Sequence, residues 1–505
     1  MSQAETRIGS RREQVGWTVP RDVGRFFIGG EWAAPSSSRK FDIVYPATEE
    51  VLFRVAQAQP ADLERAIAAA RHAFDHGPWP GLTHAQRAEY LRAIAAAIDD
   101  RAADISGIWS SESGVLHSIA ASSIKTFSSR FRYYADLADD FSFEERHEPT
   151  AGGKIGLLVR EPVGVVGAII PWNGPMGLIA AKVAPALLAG CTVIIKASPE
   201  APGEAYVLAE IADQLGLPPG VINVLTADRE VSELLVRDQR VDKITFTGST
   251  AAGRRIASLC GGRVARVTLE LGGKSAGVIL DDYDIGQAAR AIVGPACLMT
   301  GQTCASLTRI VVSRSRHDDL ADALGALFSR VRIGDPFDPS SEIGPLAMQR
   351  QRDRVEGYIA KGIDEGARLV TGGRRPPGVD RGFYIEPTIF GGVENSATIA
   401  REEIFGPVLS IIPADSEQHA IDIANDTMYG LNASVFTNDT DRALAVARQL
   451  RTGTVGHNAW RGDFGIAFGG FKQSGLGREG GREGLLPYLE TKTVILEGEP
   501  TTTTG

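Results

Sequence analysis

The segment GQTCAS at residues 301–306 contains Cys304, one of four cysteines in the chain, among small polar residues just after a predicted helix. In this setting a cysteine could be a packed small hydrophobe, a metal ligand, half of a disulfide or a nucleophile. A second reactive group, Glu270, ends the otherwise apolar run TLE. Burying a carboxylate at a strand end is unfavourable without a partner or a purpose, so Glu270 is either an ion-pair partner or a general base.

The other three cysteines narrow these possibilities. Cys191, Cys260 and Cys297 are spread along the 505 residues, with no CxxC pair and no histidine at ligand spacing nearby. This distribution does not suit a disulfide framework or a structural zinc site, so we predict no metal and a reducing, cytoplasmic location. We interpret the three as packed side chains, although Cys297 is near enough to Cys304 to line a pocket beside it.

Composition argues against two classes of partner. A net charge of −9 disfavours nonspecific nucleic-acid binding, which needs clustered lysine and arginine. No stretch approaches the roughly 18 uncharged apolar residues of a membrane span, and the first residues lack the apolar core of a secretory signal. We therefore predict a soluble acidic enzyme with no nucleic-acid and no membrane partner.

Two blocks of alternating strand and helix must position the reactive residues. Residues 60–142 are predicted to be mostly helical, and from residue 157 short apolar strands alternate with helices. Repeated strand–helix–strand units predict a doubly wound parallel sheet, which binds ligands at the carboxyl ends of its strands. A second block runs from residue 275 to about 470, so we predict an α/β fold of two doubly wound domains. The strands predicted for the first block are LLVREPVGVVGAIIP, CTVIIKA, GVINVLT, DKITFTG and ARVTLELGG.

Two glycine motifs bear on nucleotide binding. The literal GxGxxG at residues 475–480 follows FGGFKQS rather than an apolar strand, so we interpret it as a glycine-rich loop. The segment GSTAAG at residues 248–253 lies between the predicted strand KITFTG and a helix. It lacks the Lys-Ser/Thr of a Walker motif, but its free amides at a helix N-terminus suit a pyrophosphate bound without metal.

Seven motifs in one order resemble those of the NAD(P)-dependent aldehyde dehydrogenase superfamily. The resemblance covers roughly residues 25 to 492. Any one motif alone is a weak signal, and it is their common order that makes the resemblance specific. The motifs are PWN (171–173), VIIKASPE (193–200), ITFTGSTAAG (244–253), TLELGGKS (268–275), GQTCAS (301–306), REEIFGPV (401–408) and FGGFKQSGLGRE (468–479).

The resemblance implies a thioester mechanism. The Cys304 thiolate, favoured by backbone amides or the cationic cofactor ring, adds to the aldehyde, and the thiohemiacetal passes hydride to the nicotinamide. Glu270 then activates the water that releases the acid from the thioester; relatives that transfer the acyl group to coenzyme A generally lack this glutamate. Asn173 and the Cys304 backbone NH would stabilise the alkoxide, although an asparagine at this junction could instead be only a helix cap.

The resemblance also implies a dinucleotide site, for NAD with NADP possible. Lys196 would contact ribose and phosphate, Glu403 would hold the nicotinamide ribose, and Phe405 would lie against the ring. A lone lysine or glutamate is usually a solvated surface charge, and only the motifs favour a site here. The predicted set is Pro171, Trp172, Lys196, Gly248, Ser249, Glu403 and Phe405.

Two departures from the family pattern concern the cofactor. Many NAD-preferring members carry glutamate three residues after the lysine to hold the adenosine ribose, and here that residue is Pro199, with Glu200 next. The choice between NAD and NADP therefore stays open. Ala227 and Arg229 stand where the family often has glycines, and Arg229 either lies on the surface or shapes the adenine site.

A third departure concerns the substrate tunnel. Gly174, Ala181 and Leu298 stand where relatives often carry aromatic side chains. Removing large side chains widens a pocket unless its neighbours collapse inward. We therefore predict a roomy tunnel, also lined by Thr303 and Phe468, that accepts bulky aromatic, cyclic or terpenoid aldehydes and selects poorly for acetaldehyde.

Several predictions rest on the resemblance alone or leave alternatives open. Lys182 and Glu479 match a proton path behind the base in relatives, and helix-surface charges are the equal alternative. The main hypothesis competes with an NADP-preferring semialdehyde dehydrogenase, with a thiol-dependent esterase or acyltransferase in which Cys304 has no redox role, and with a catalytically silent relative. The presence of Cys304, Glu270 and Asn173 counts against the last.

The predicted organisation has three parts. We expect an NAD(P)-binding domain, a catalytic domain and a small β oligomerisation element whose exposed strand edges need a partner, giving a homodimer or homotetramer. The expected boundaries are 21–143 with 161–272 for the first, 273–477 for the second and 144–160 with 478–497 for the third, with disordered tails at 1–20 and 498–505.

Overall fold

The computed structural model describes residues 17–500. The tails expected at residues 1–20 and 498–505 therefore lie mostly outside the described residues. Two residues of the expected tails are described and make contacts. Trp17 is buried in the core of the first domain, and Glu499 forms an ion pair with Arg146, in the range 144–160 expected for the β element. An indole ring gains from burial, so residues 17–20 belong to the fold, which corrects the expected boundary.

Four helices precede the parallel strands of the first sheet and confirm that residues 60–142 are mostly helical. Pro60 lies in the first turn of the first helix, where a missing NH removes no intrahelical bond. Thr83 and Gln86 form the capping box that starts the second, and Gly114, with a left-handed φ of 72°, ends the third. The helices are α1 (Pro60–His76), α2 (His84–Asp100), α3 (Ala102–Ser113) and α4 (His117–Asp140).

The first sheet has the predicted doubly wound parallel centre. Its strand order is β19-β11-β10-β7-β8-β9-β1-β2, in which β7 to β11 are parallel and the two edges are antiparallel. The inner strands are buried on both faces, which explains their uniformly apolar sequences. The strands are β1 (Phe26–Ile28), β2 (Glu31–Ala33), β7 (Val165–Ile169), β8 (Thr192–Ala197), β9 (Ile222–Thr226), β10 (Lys243–Thr247), β11 (Arg266–Glu270) and β19 (Gly475–Leu476), and the crossover helices are α5 (Pro175–Ala189), α6 (Gly203–Gln214), α7 (Arg229–Arg237) and α8 (Thr250–Gly262).

The segment LLVREPVGVVGAIIP, predicted as one strand, belongs to two sheets. It contributes to β6 (Ile155–Pro162) and to β7, and the chain turns between them at Gly164, whose φ is 126°. A Cβ on Gly164 would overlap the carboxylate of Asp242, which accepts a hydrogen bond from Val165 N at 2.7 Å. Uniform hydrophobicity hid this turn, because both strands are apolar. β6 pairs with β5 (Glu144–His147) and β20 (Leu489–Leu496) in a three-stranded sheet that matches the expected β element.

The second sheet forms the other α/β domain. Its strand order is β14-β15-β16-β13-β12-β17-β18, parallel except for β14. A hairpin of β3 (Lys40–Tyr45) and β4 (Glu50–Ala56) stands apart and was not predicted. The strands are β12 (Ser275–Ile279), β13 (Leu307–Ser313), β14 (Arg368–Thr371), β15 (Thr388–Gly391), β16 (Val408–Ala414), β17 (Asn432–Phe436) and β18 (Thr454–His457), and the helices are α9 (Ile285–Cys297), α10 (His317–Phe328), α11 (Gln349–Asp364), α12 (Thr398–Arg401), α13 (Glu417–Asn425) and α14 (Thr440–Ala447).

The GxGxxG segment is a loop, as predicted, but it returns to the first sheet. Gly475 pairs antiparallel with Glu270 as part of β19, and within residues 17–500 only a short 3-10 helix, Leu486–Tyr488, follows it. The catalytic domain was expected to end at residue 477, but residues 475 and 476 form an edge strand of the first sheet. The rest of the segment brings Glu479 beside Phe468, with backbone hydrogen bonds of 2.6 and 2.7 Å.

Within residues 17–500, no helix is both long and apolar enough to cross a membrane. The expected cytoplasmic location stays a prediction.

Candidate active site

The predicted catalytic and cofactor residues of the first domain lie together at the carboxyl ends of the parallel strands of its sheet. Asn173 follows β7, Lys196 lies near the end of β8, and Gly248 follows β10. Glu270 ends β11, and its carbonyl accepts a hydrogen bond from Gly248 N at 3.0 Å. Parallel strands present their carboxyl ends on the same side, so the strand pattern alone brings these residues together.

Cys304 reaches this edge from the second domain through a strained turn. Between α9 and β13, Met299, Thr300 and Gly301 all have left-handed φ values, of 52°, 57° and 70°. Only glycine adopts this region readily, and a Cβ on Gly301 would also overlap the backbone of Gly406. Strain of this kind persists only where the surroundings fix it. The surrounding structure therefore holds this turn in place, and the turn sets the direction of the Cys304 loop.

Asn173 is hydrogen-bonded to the Cys304 loop. Its Nδ2 donates to the carbonyl of Gln302 at 3.0 Å, and its own carbonyl accepts from Trp109 Nε1 at 2.9 Å. Gln302 is buried and its Oε1 accepts from Ala347 N at 3.0 Å, which anchors the loop from the other side. The side-chain amide of Asn173 therefore lies beside the cysteine loop, and the backbone carbonyl of Asn173 is held by the Trp109 indole. Its side chain does not cap a helix here.

Glu270 is a buried carboxyl group without a hydrogen-bond partner for either oxygen among the described residues. Gly469 makes room for it, because a Cβ there would lie 2.6 Å from Glu270 Oε1. Burial raises the pKa of Glu270 well above its ordinary value, repulsion from Glu479 adds to this, and the Lys182 ammonium opposes it. Glu270 thus forms no ion pair that would make it merely structural.

The thiol of Cys304 is half-buried beside two carboxyl groups. Burial raises the pKa of Cys304 to about 12, and the nearby Glu270 and Glu403 add to the increase. The backbone amides of Ala305 and Cys304 lower the pKa by less. We expected these amides to favour the thiolate, and in the protein alone they are outweighed by desolvation and by like charge. The thiol therefore needs a base or a cationic ligand before it can act as a nucleophile.

Glu403 connects the glycines after β11 to the second domain. Its Oε1 accepts a hydrogen bond from Gly273 N at 3.1 Å, and its carboxylate lies where a Cβ on Gly272 would stand. Burial raises the pKa of Glu403 to about 7. Two residues on, Phe405 has a left-handed φ of 62°, and its ring meets that of Trp172 edge to face at 5.5 Å. Phe405, predicted to lie against the nicotinamide ring, thus meets Trp172 of the first domain.

The remaining predicted cofactor residues suit an anionic nucleotide. Burial lowers the pKa of Lys196 to about 8, so an anionic ligand beside its ammonium would be stabilising. Ser249 is the N-cap of α8, and its side chain accepts from Ala252 N at 3.3 Å. A buried cation and a helix N-terminus supply donors that suit phosphate groups, and the carboxylate of Glu403 is an acceptor that suits ribose hydroxyls. Pro171 lies half-buried in the same loop as Trp172.

The residues that depart from the family pattern have separate surroundings. Glu200, after Pro199, forms an ion pair with Arg350 at 2.6 Å, so a residue of the second domain engages the acid near the predicted ribose site. Arg229 is exposed at the start of α7 and forms no hydrogen bond or ion pair with other side chains of residues 17–500.

The predicted proton path forms a buried cluster. Lys182 Nζ donates to Thr247 Oγ1 at 2.6 Å and forms an ion pair with Glu479. Both charged side chains are buried, so the alternative that they are helix-surface charges is wrong. The cluster lies beside Glu270, whose pKa responds to both.

The predicted tunnel residues do not all lie in one place. Phe468 packs with Cys304 and Ala305, while Ala181 lines a cavity of about 370 Å³ that is also lined by Phe464, a member of the same cluster as Cys304. A Cβ on Gly174 would lie 3.7 Å from Trp109 and 3.9 Å from Met299, so these two side chains border the space that its small size leaves. Thr303 and Leu298 lie in the same turn, with the Thr303 hydroxyl 3.5 Å from the Leu298 carbonyl.

Sequence reasoning missed several residues at this site, among them Trp109, Gln302, Thr247 and Arg130. Gln302 stands inside the GQTCAS motif, so its position beside the nucleophile could have flagged it. Thr247 likewise stands inside the ITFTGSTAAG motif, whereas Trp109 and Arg130 lie on helices outside the motifs, where no local pattern marks them as neighbours of the site.

Comparisons with known proteins agree with this geometry. The sequence profile of the aldehyde dehydrogenase family matches residues 32–494. Geranial dehydrogenase of Castellaniella defragrans is 44% identical over 478 residues, 94% of this chain and 99% of that protein, and 3-succinoylsemialdehyde-pyridine dehydrogenase of a Pseudomonas species is 41% identical with the same coverage.

Solved structures agree as well. An aldehyde dehydrogenase of Mycobacterium tuberculosis in complex with NAD+ has a TM-score of 0.91 at 43% identity, covering 95% of this chain and 99% of that one. A cysteine-to-alanine mutant of aldehyde dehydrogenase C from Pseudomonas syringae, with NAD+ and octanal, has a TM-score of 0.92 at 38% identity, covering 97% and 100%. The chain belongs to the aldehyde dehydrogenase family. The predicted family, enzyme class and fold class are thereby confirmed.

Proposed function

We propose that the chain oxidises bulky aldehydes to carboxylic acids with NAD+, through a thioester on Cys304. The observation that carries this proposal is the convergence of Asn173, the Cys304 loop and the unpartnered carboxyl of Glu270 at one edge of the first sheet. A nucleophile, an amide donor and a base without a structural partner are the groups that acyl-transfer chemistry needs.

The proposed first step forms the thiohemiacetal. Ionised Glu270 accepts the thiol proton of Cys304, and the sulfur adds to the carbonyl carbon as the C=O π electrons move onto oxygen. Asn173 Nδ2 and the Cys304 backbone NH donate to this oxygen. The Glu479 carboxylate, held by the Lys182 ammonium, accepts the proton from Glu270 and releases it to bulk water, which restores the base for the next step.

The proposed second half releases the product. Glu270 removes a proton from water, the oxygen attacks the thioester carbon, and the C–S bond breaks to give the acid and the thiolate. NAD+, when bound, supplies the hydride acceptor that makes the thioester possible. Lys196, Ser249 and Glu403 would hold it, and the NAD+ in the neighbouring structures supports this choice.

The proposed substrate class is bulky, aromatic, cyclic or terpenoid aldehydes. Gly174 and Ala181 present no large side chain, and Ala181 borders the 370 Å³ cavity. A cavity of this volume can hold the tail of a substrate of about eight to ten carbons. The name of the similar geranial dehydrogenase supports a terpenoid aldehyde, and the octanal bound to the neighbouring structure supports a chain of about eight carbons.

A panel of aldehydes tests this proposal. We expect kcat/KM for octanal and geranial to exceed that for acetaldehyde by at least about tenfold, because each buried methylene contributes binding. Reduced-cofactor absorbance would be followed with NAD+ and NADP+ in parallel. A preference for acetaldehyde would contradict the substrate class, and NADP+ preference would favour the semialdehyde-type alternative. Ala181→Trp is the matched variant, and we expect it to lower the octanal value more than the acetaldehyde value.

We also propose that the chain is a homodimer or homotetramer. The sheet β5-β6-β20 stands outside both domain sheets, and Ile495 on its edge strand β20 is 53% exposed. An unpaired strand edge with an exposed apolar side chain is stabilised by a partner. Light scattering of the purified protein distinguishes monomer from dimer and tetramer, and a monomer would contradict the proposal.

A further inference from the structure

The helix α5, which follows Asn173, begins without a side-chain cap of its own. Its N-cap is Gly174, which has no side chain, and Pro175 takes the first helical position. The first NH groups of a helix have no intrahelical acceptor, so the NH of Met176 must find one elsewhere. Glu204, in the first turn of α6, supplies it, because Glu204 Oε2 accepts from Met176 N at 2.9 Å.

Glu112, near the end of α3, holds the start of α6 in the same way. Both of its carboxyl oxygens accept from Gly203 N at 3.1 Å. A Cβ on Gly203 would lie 2.7 Å from Glu112 Oε1, so a side chain there would push α6 away from α3. Both Glu112 and Glu204 are buried, and no cation among residues 17–500 lowers the pKa of either. Burying such carboxyl groups is unfavourable unless their hydrogen bonds serve a purpose.

The same part of α3 holds the loop that carries Asn173. Trp109 Nε1 donates to the backbone carbonyl of Asn173 at 2.9 Å, and Ser113 Oγ donates to that of Trp172 at 2.6 Å. Trp109 and Ser113 are four residues apart and therefore lie on one face of the helix. The two carbonyls before α5 are thus fixed by α3, and the first turn of α5 is fixed by Glu204.

We propose that Glu204 is a positioning residue for the oxyanion donor: it fixes the start of α5 through Met176 N, and so holds the amide of Asn173 beside the Cys304 loop. This inference rests on the proposed aldehyde oxidation, in which Asn173 stabilises the alkoxide. Without Glu204 the buried NH of Met176 has no acceptor, and the first turn of α5 must move to find one. A displacement of about 1 Å at a catalytic group can lower a rate by up to about a hundredfold.

Glu204→Leu keeps a side chain of similar size but removes the acceptor. We expect kcat/KM for octanal with NAD+ to fall about tenfold, because the amide of Asn173 moves from its place. Burial raises the pKa of Glu204 to about 8, so its carboxyl is mostly protonated at pH 7 and a neutral amide can replace it. Glu204→Gln should therefore stay within about threefold of wild type, since its carbonyl still accepts from Met176 N.

Asp439→Ala is the matched control. Asp439 caps α14 in the second domain, accepting from the backbone NH groups of Asp441 and Arg442. Losing this cap should lower the melting temperature, as Glu204→Leu does, but leave kcat/KM unchanged. If Glu204→Leu does not fold, Glu204→Asp takes its place with the same expectation, because its carboxyl is one methylene shorter and does not reach Met176 N.

A double variant separates positioning from general stability. Asn173→Ala already lacks the amide, so adding Glu204→Leu should lower kcat/KM by less than about twofold further. A further tenfold loss would mean that Glu204 acts independently of Asn173, and it would overturn the inference. An unchanged kcat/KM in Glu204→Leu would do the same and leave the proposed function intact. If wild-type enzyme oxidises no aldehyde with NAD+, the proposed function fails and the inference with it.

Discussion

At the scale of single residues, the site is organised around groups whose charged forms are unfavourable in the protein alone. Burial raises the pKa of both Cys304 and Glu270, although the mechanism needs each to lose a proton. Buried groups with shifted pKa values are typical of catalytic positions. Among residues 17–500, neither Cys304 nor Glu270 has an ion-pair partner that would give it a structural role. Their unfavourable burial therefore indicates a functional role.

These shifts predict a rate that increases with pH. Glu270 acts as a base only when ionised, and its raised pKa moves that ionisation well above pH 4.5; the Cys304 pKa of about 12 acts in the same direction. We expect kcat/KM for octanal to rise steadily from pH 6 to 9. Glu479→Gln removes a repelling charge and leaves Lys182 unpaired, so the rise should move to lower pH. A flat profile, or a rise centred near pH 4.5, would contradict the assignment.

At the scale of structural elements, glycines position the base as much as the strand does. β11 carries Glu270 to the sheet edge, and Gly469, with a φ of 151°, leaves room for its carboxylate. Gly301 leaves room for the backbone of Gly406 at the turn that leads to Cys304. The catalytic groups are side chains, but the backbone turns decide where they lie.

Gly469→Ala tests this role. Its Cβ would lie 2.6 Å from Glu270 Oε1, so the carboxylate must move and we expect kcat to fall by about tenfold or more. Gly357→Ala on α11, where a Cβ meets nothing within 4 Å, is the control and should keep the wild-type kcat. Steady-state rates and melting temperatures of both variants give the result. Unchanged kcat in Gly469→Ala would show that Glu270 tolerates the displacement.

The sequence allowed prediction of these elements wherever hydrophobic period and turn residues agreed. The buried strands β7 to β10 and the helices between them follow from short apolar runs that alternate with amphipathic segments. The division at Gly164 was missed, because two adjacent apolar strands look like one. Arg130 was missed for a different reason: its position depends on how α4 packs against α5, which no local pattern encodes. Motif spacing predicted the catalytic set, whereas tunnel shape required side-chain packing.

At the scale of the whole molecule, the buried pair of Lys182 and Glu479 joins α5 of the first domain to the segment near the C-terminus. Removing one member leaves an uncompensated buried charge, which typically costs about 3–5 kcal/mol. We expect Lys182→Met to lower the free energy of unfolding by that amount, measured by urea denaturation at fixed protein concentration. The double variant Lys182→Met, Glu479→Met should recover much of the loss. If it is as unstable as the two single losses combined, the pair is not coupled.

The central claim is that Cys304 carries the acyl group and that Glu270 is needed to release it. Intact-mass spectrometry of Glu270→Gln mixed with octanal and NAD+ tests both parts at once. In Glu270→Gln the thiol must lose its proton to water instead of Glu270, so acylation is slower, but the acyl group then has no base to release it. The account therefore predicts that an octanoyl adduct builds up slowly on one cysteine per chain, identified as Cys304 by peptide mapping, and that Cys304→Ser gives no adduct. Wild-type turnover in Glu270→Gln, or an adduct that persists in Cys304→Ser, would contradict it.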